Sequence, residues 1–463
     1  MQIAKPWWRQ AGAAFSLALF SLSSSLGVTY YVKNGGDNSR NGRSEADAWG
    51  SITYAVSSGS PVTNGDEVVI LPGSYFEEFL IQKSGITLRG QGNRDSVRII
   101  DPTPNGPFFG AEHVGIREQS NVTLRNFRVE NSSWGGVVIK KCQNILVDNV
   151  YTFETGSSGI IALPLSFYGG GEAEVADSSR NVRVLNCVVE RACWKPIFFG
   201  DNNEFRRYDQ EALSIWGVDG FEVAYCRVFD GNTEGIDAKT GSRNGSIHHC
   251  EVYGMARISG LPGDPTIGSR NSGPGIYVDG NRAASFNIQV YNNFSYNNNE
   301  NGISISDEDP NGGLSNIAVY NNVTYGNGIL GVNGGVGVAV DEGNDIRVYN
   351  NTSVGDTIGF FLSKSPTNVV FRNNIVANAV YRTIEVGNFS GSVTFSENLF
   401  TNEHPVPATY GSVTGLSVFN NQIVADAGLT ELYRLTASSP ASIPAPRPSL
   451  RRPTSTIRRG RRA

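Results

Sequence analysis

The chain is poor in features that would place it in several common classes. Beyond its N-terminus it has no uninterrupted apolar run near the ~18 residues of a membrane helix, which argues against a helical span. No Walker-type, Rossmann or Ser-His-Asp signature occurs. Only two methionines and 17% charged residues stand against 54 glycines in 463 positions, a balance that suits many tight turns rather than long helices. Of the four histidines, His113 and His404 are isolated. His248 and His249 are adjacent at a turn, where strand alternation would send them to opposite sides, so no shared metal is expected there. The five cysteines (142, 187, 193, 226 and 250) are an odd number and do not make a complete disulfide framework.

Acids are missing from both ends. Residues 1–27 carry two basic groups and residues 435–463 carry seven, with no acid in either stretch. Without those nine, 29 basic groups face 43 acids, so the body has a net charge near −14. Such a surface argues against nucleic acid as a partner. It also disfavours a polyanion unless a bound cation bridges the two. Lys5 and Arg9 precede the apolar stretch Ala11 to Leu22, and small residues follow at Ser25-Leu-Gly27. This pattern reads as a secretory signal over 1–27, so a secreted monomer with no membrane span is expected. The Pro- and Arg-rich residues 431–463 read as a disordered tail.

What the chain does have is a repeat. Asn121-Val-Thr-Leu-Arg-Asn-Phe recurs as Asn144-Ile-Leu-Val-Asp-Asn-Val, Asn181-Val-Arg-Val-Leu-Asn-Cys and Gly220-Phe-Glu-Val-Ala-Tyr-Cys. Further copies start at 244, 287, 316, 345 and 368, with a weaker one at Ser392, and the base spacing is about 23 with insertions. Stacked repeats of this length predict one coil of a parallel β-helix each, over residues 121–430. The seventh position changes from Cys187, Cys226 and Cys250 to Asn293, Asn322, Asn351 and Asn374. The cysteines are expected as core thiols, and the asparagines as a hydrogen-bonded stack. Tyr291, Tyr320 and Tyr349 in the fifth position predict an aromatic stack.

A second strand per coil includes Gly235-Ile-Asp-Ala-Lys239, Gly275-Ile-Tyr-Val-Asp279 and Gly302-Ile-Ser-Ile-Ser306. Period-two alternation buries Ile236 and Ala238 and turns Asp237 and Lys239 outward. Stacking at about 4.8 Å then gathers Asp237, Lys239, Tyr277 and Asp279 into one patch, with Asp307, Glu308 and Asp309 just beyond its edge. Insertions near 164–180, 200–216, 254–274, 306–315 and 326–336 are expected to wall a groove over it. They bring Tyr168, Arg206, Arg207, Tyr208, Trp216, Arg257 and Arg270 to contact a polar or carboxylated ligand.

Residues 29–100, with a short amphipathic helix at Trp49 to Val56 followed by glycine-bounded strands, resemble the opening segment of secreted right-handed parallel β-helix proteins. The resemblance implies an all-β, single-stranded right-handed solenoid, with that helix and the first coils forming its N-terminal cap over 28–120. The run Gly231-Asn-Thr-Glu-Gly-Ile-Asp-Ala-Lys239 resembles polysaccharide lyase family 9 pectate lyases, whose Asp-Asp-Gly-x-Asp run binds calcium. Glu234 and Asp237 match two of those acids, and Thr233 replaces the first. It also resembles family 28 glycosidases through Asn232-Thr-Glu-Gly235, but without that family's other motifs. The lyase likeness implies Ca2+ held by Glu234, Asp237, Asp279 and Asp230. Lys239 would then be the base in β-elimination from a uronic acid. The glycosidase likeness implies Glu234 paired with Asp279 or Asp237 as acid and base. An ionic ladder on a non-catalytic, polysaccharide-binding solenoid remains the third reading.

Overall fold

The computed structural model describes residues 27–103, 112–167, 169–194, 197–199, 204–206, 210–256, 273–308, 312–328, 335–364, 366–401, 408–427 and 429. The expected signal segment, the Pro/Arg-rich tail and the candidate ligand contacts Tyr168, Arg207, Tyr208, Arg257 and Arg270 lie outside them.

The repeat turns on two left-handed backbone positions. The first position has φ between 51° and 58° in Asn121, Asn144, Asn181, Asn244, Asn287, Asn316, Asp345 and Asn368. Gly220 holds it at 76°. The sixth is also left-handed, with φ between 52° and 62° from Asn126 through Asn373, and with Tyr225 at 57° and His249 at 53° replacing asparagine. After glycine, asparagine tolerates this region best, so each copy carries its own pair of bends. The left-handed His249 also overturns the expected separation of the histidines. Nδ1 of His248 lies 2.8 Å from Nδ1 of His249, and His248 stacks on Tyr291 at 4.7 Å.

Between the bends the strands run parallel, each paired with the coil before and the coil after. Among the described residues thirty-five strands join in this way into one sheet wound as a right-handed parallel β-helix. Its register places Ile139, Ala162, Ile215, Ala238, Val278, Ile305, Val340, Leu362 and Val386 in one buried column. Stacking begins earlier than the recognisable repeat, because Tyr30 already pairs through Val68 and Leu88 to Leu124. The seventh position is buried. In Asn293, Asn322, Asn351, Asn374 and Asn398 each Oδ1 accepts from the preceding coil, and each Nδ2 reaches a main-chain carbonyl. Cys187, Cys226 and Cys250 are free, buried thiols that point at equivalent carbonyls, 3.4–3.6 Å away. The tyrosine stack forms as expected, at 4.9 and 5.0 Å.

At the N-terminal end a short helix, Ile52–Val56, closes the solenoid. Trp49 lies before it, bridged to Val32 rather than on the helix face. Glu77 holds the helix start, accepting from the main-chain N–H groups of Ile52 (3.0 Å) and Thr53 (2.9 Å) and from the Ser51 hydroxyl (2.7 Å). A carboxylate there satisfies donors that the helix itself leaves open.

Candidate active site

Four neighbouring strands carry the patch: Leu213–Trp216, Ile236–Lys239, Ile276–Asp279 and Ile303–Ser306. Alternation holds: Ile236 and Ala238 enter the core, and Asp237 and Lys239 stand on the outer face. Asp237 pairs in register with Ser214 on one side and Tyr277 on the other, Lys239 pairs with Trp216, and Asp279 with Ser306. Asp237, Lys239, Tyr277 and Asp279 therefore do share one patch. It is not a solvated face: Asp237 and Asp279 are each 1% exposed, Tyr277 7% and Lys239 9%.

The strand Leu213–Trp216 supplies a residue that the repeat pattern hides. Leu213 stacks on Ile236, so Glu211 stands one coil before Glu234. Thr233 Oγ1 and the Cys193 thiol both donate to the Gln210 carbonyl and fix the turn that carries Glu211. The Lys239 ammonium hydrogen-bonds the Glu211 carboxylate and lies 3.7 Å from Asp237 Oδ2. Its position was expected to make Lys239 a base, and the charges say otherwise. Burial would lower its pKa, but Glu211 and then Asp237 outweigh burial and raise it, so it remains an ammonium. The clue in the sequence was the apolar run after Gln210-Glu211, which lacks the glycine that opens most second strands.

Burial, with Glu211 second, pushes the Asp237 carboxyl well above the usual range, against the pull of Lys239. Asp279 is raised to about 7, mainly by burial and then by Glu308. Its Oδ1 accepts from the main-chain N–H groups of Asn281 (3.0 Å) and Glu308 (3.1 Å). One oxygen of each acid, Asp237 Oδ1 and Asp279 Oδ2, is buried without a hydrogen-bond partner. Burial also raises the Tyr277 phenol and keeps it protonated.

The calcium expectation fares less well. Among the described residues no three His, Cys, Asp or Glu side chains converge as a metal ion requires. The Lys239 ammonium occupies the space between Glu211 and Asp237 where a cation would sit, so the donor set as placed does not fit calcium. Glu234 is half-buried beside Asp237 and adds to its negative surroundings. Asp230 stands at the turn after Arg227–Phe229, and its electrostatic neighbours are Glu190 and Arg191 rather than the patch. Trp216 is buried, 2% exposed, and its ring is engaged within the protein. Its ring is 5.1 Å from the Lys239 ammonium and 4.9 Å from the Arg282 guanidinium, and its indole N–H donates to Glu174 at 3.0 Å.

Comparison with known proteins agrees with the fold. A family described as "Right handed beta helix region" matches residues 266–423, about a third of the chain. No curated protein matches the sequence. Among solved structures, the chain is similar to the A-module of the Azotobacter vinelandii mannuronan C-5 epimerase AlgE4. Identity there is 13% and the TM-score 0.51, over 77% of this chain and 91% of that one. It is similar also to a rhamnogalacturonan lyase, at 16% identity and a TM-score of 0.51, over 75% and 87% of the two chains. Among the described residues no helix is long and apolar enough to cross a membrane.

Proposed function

We propose that this chain is an exported polysaccharide-active enzyme whose Asp237–Lys239–Tyr277–Asp279 patch cleaves a uronic-acid-containing glycan by β-elimination. The observation that carries the reading is the pair of buried carboxyl oxygens without partners beside one fixed ammonium. Buried acceptors of that kind are costly unless a ligand meets them. The two similar structures, named for mannuronan and for rhamnogalacturonan, support an acidic sugar chain as the substrate class.

In this reading Lys239 and the protonated Asp237 hold the sugar's carboxylate, the role expected of calcium. Asp279, ionised above about pH 7, takes the C5 proton. The C4–O bond breaks, C4 and C5 become doubly bonded, and the leaving oxygen takes the Tyr277 phenolic proton. Asp279 then returns its proton to Tyr277. Each of these four side chains is at most 9% exposed, so the patch has to be uncovered for the sugar to reach it. A second reading, hydrolysis of a glycosidic bond, is favoured by one observation: burial holds Asp237 protonated while Asp279 ionises near 7, so the two carboxyls can stand in the opposite protonation states of an acid and a base.

Incubation with polygalacturonate, mannuronan and rhamnogalacturonan tests the proposal. Ultraviolet-absorbing unsaturated ends that vanish in Asp279→Asn are the expected result. New reducing ends without that absorbance would replace elimination by hydrolysis. No product with any of the three sinks the enzyme reading for acidic glycans. Because Lys239 takes the place of a metal, EDTA is expected to leave the rate within about twofold, whereas a metal-held carboxylate would lose nearly all of it.

A further inference from the structure

The N-terminal cap carries an open depression of about 610 Å3 that the Asp237 patch does not share. Its volume is in the usual range of a small-molecule site. Three segments wall it: Asn34 from the turn after Thr29–Val32, Thr53 from the cap helix, and Ser74 to Glu78 from the end of the strand Gly73–Phe76 and the turn beyond it. Just past that turn, Phe79 stacks through Val114, Val137, Ile160 and Leu213 to Ile236. Five rungs at about 4.8 Å each separate the depression from the Asp237 coil by ~24 Å along the solenoid.

Alternation places the one large ring on its wall. Tyr75 points inward, 3% exposed, and its hydroxyl donates to the Leu71 carbonyl at 2.7 Å. Phe76 is thereby turned outward, and at 64% it is the most exposed aromatic side chain among the described residues. The polar groups beside it are mostly acceptors. Asn34 Nδ2 donates to the Ser74 carbonyl at 3.2 Å, which holds the amide and leaves Oδ1 without a partner among the described residues. The charges that act on Glu78 are Asp101 and Glu112, both acids, and together with partial burial they raise its carboxyl above the ordinary range. The helix start offers nothing to an anion, because the N–H groups of Ile52 and Thr53 already donate to Glu77 and that of Tyr54 to Ser51 Oγ. Among the described residues no lysine or arginine lines the depression.

An uncharged pyranose matches such walls. One of its faces is made of C–H groups, which the negative face of an aromatic ring attracts. Its rim of hydroxyls supplies the donors that a carboxylate and an amide oxygen accept. A uronic acid would instead bring its carboxylate against Glu78 with no cation between them. We propose that this depression binds a neutral saccharide, with Phe76 as the stacking platform and Glu78 and Asn34 as the hydrogen-bonding side chains. The site holds glycan without chemistry, and it stands or falls independently of the Asp237 patch.

The full chain is titrated by calorimetry with the β-1,4-linked hexamers of glucose, mannose and xylose, and separately with tetramethylammonium. Binding of at least one neutral hexamer is expected. It should weaken about 10-fold in Phe76→Ala and about threefold in Glu78→Gln, stay within about twofold in Phe76→Trp, and be unchanged in Asp237→Asn. Thermal melts that match the parent show that the variants are folded. No binding of any neutral hexamer, or binding equally strong in Phe76→Ala, overturns the site. Neutral binding lost in Asp237→Asn rather than in Phe76→Ala puts the sugar at the patch and overturns the cap site. Tetramethylammonium bound through Phe76 while the hexamers do not bind makes the depression a cation site and overturns the saccharide assignment.

Discussion

Glu211 decides what Lys239 can be. A lysine flanked only by Asp237 on an outer face could be lowered into service as a base, but a second carboxylate against its ammonium keeps the proton in place. The burden of titration passes to Asp279, whose carboxyl sits near 7 in the folded chain against an ordinary 3.8. The folded state therefore takes up a proton that the unfolded chain gives up. Stability contributed by this group is greatest below the unfolded value and falls as pH rises from about 4 to about 7. At about 1.4 kcal/mol per unit this costs on the order of 4 kcal/mol above neutrality. Asp279→Asn is thus expected to be more stable than the parent at pH 8 and to lose that advantage near pH 4, as read by urea unfolding at both pH values. The same substitution is expected to lower turnover by about 100-fold or more, removing a rate that in the parent rises through pH 7. Asp237, Lys239, Tyr277 and Asp279 could be read from the sequence because alternation and stacking fix outward neighbours. Glu211 was passed over, because Ala212 stands where most of the other second strands begin with glycine and only the apolar run after it marks a strand. The burial of Trp216 could not be read, because it depends on Glu174 and Arg282, more than a hundred residues apart in the chain.

At the scale of the element, the two asparagine columns look alike in sequence and do different work. Asn316 at the first position lies on the surface, and its Nδ2 donates to Asn287 at 2.7 Å. Asn351 at the seventh is buried, accepts from both N and Nδ2 of Asn322, and donates to Asn374. Asn351→Ala strands two buried donors on the neighbouring coil and is expected to cost about 2–4 kcal/mol. Asn316→Ala leaves its neighbours open to water but gives up the residue best suited to φ 51°, and is expected to cost about 1 kcal/mol. Equal losses in denaturant melts of the two variants would show that the buried column is not what binds coil to coil. The sequence pattern identified both columns and the cysteine substitutions within the inner one. It did not separate the roles of the sixth and seventh positions, because a left-handed bend and a buried amide both select asparagine. The first coils were legible only through their glycine-bounded strands and not through the repeat, for the same reason in reverse. Strands such as Glu67–Ile70 and Thr87–Gly90 stack in register but lack those asparagines.

The whole molecule is a stack in which each coil is bound to its two neighbours, so its ends set its behaviour. At the N-terminal end the chain spends its largest side chain on closure. Trp49 is fully buried, stacks on Tyr30 at 4.8 Å, meets Tyr54 edge-on at 5.2 Å and donates its indole N–H to the Arg40 carbonyl at 2.9 Å. Gly42 is kept free of a side chain beneath it, since a Cβ there would lie 2.4 Å from the indole. An open end would expose the main-chain groups of Thr29–Val32 together with Val32 and Ile52, a template for another chain. Trp49→Ala is therefore expected to act in two ways. It removes about 3–5 kcal/mol of packing from the cap, and because coils are coupled only to neighbours, the loss appears first as fraying of residues near Thr29. Hydrogen exchange should show protection lost in Thr29–Val32 and Glu67–Ile70 while the coils around Asp237 remain closed. Light scattering should show association that grows with protein concentration. Uniform loss of protection along the solenoid would instead mean that the stack melts as one unit, and the cap would then be a source of global stability rather than a guard on one edge.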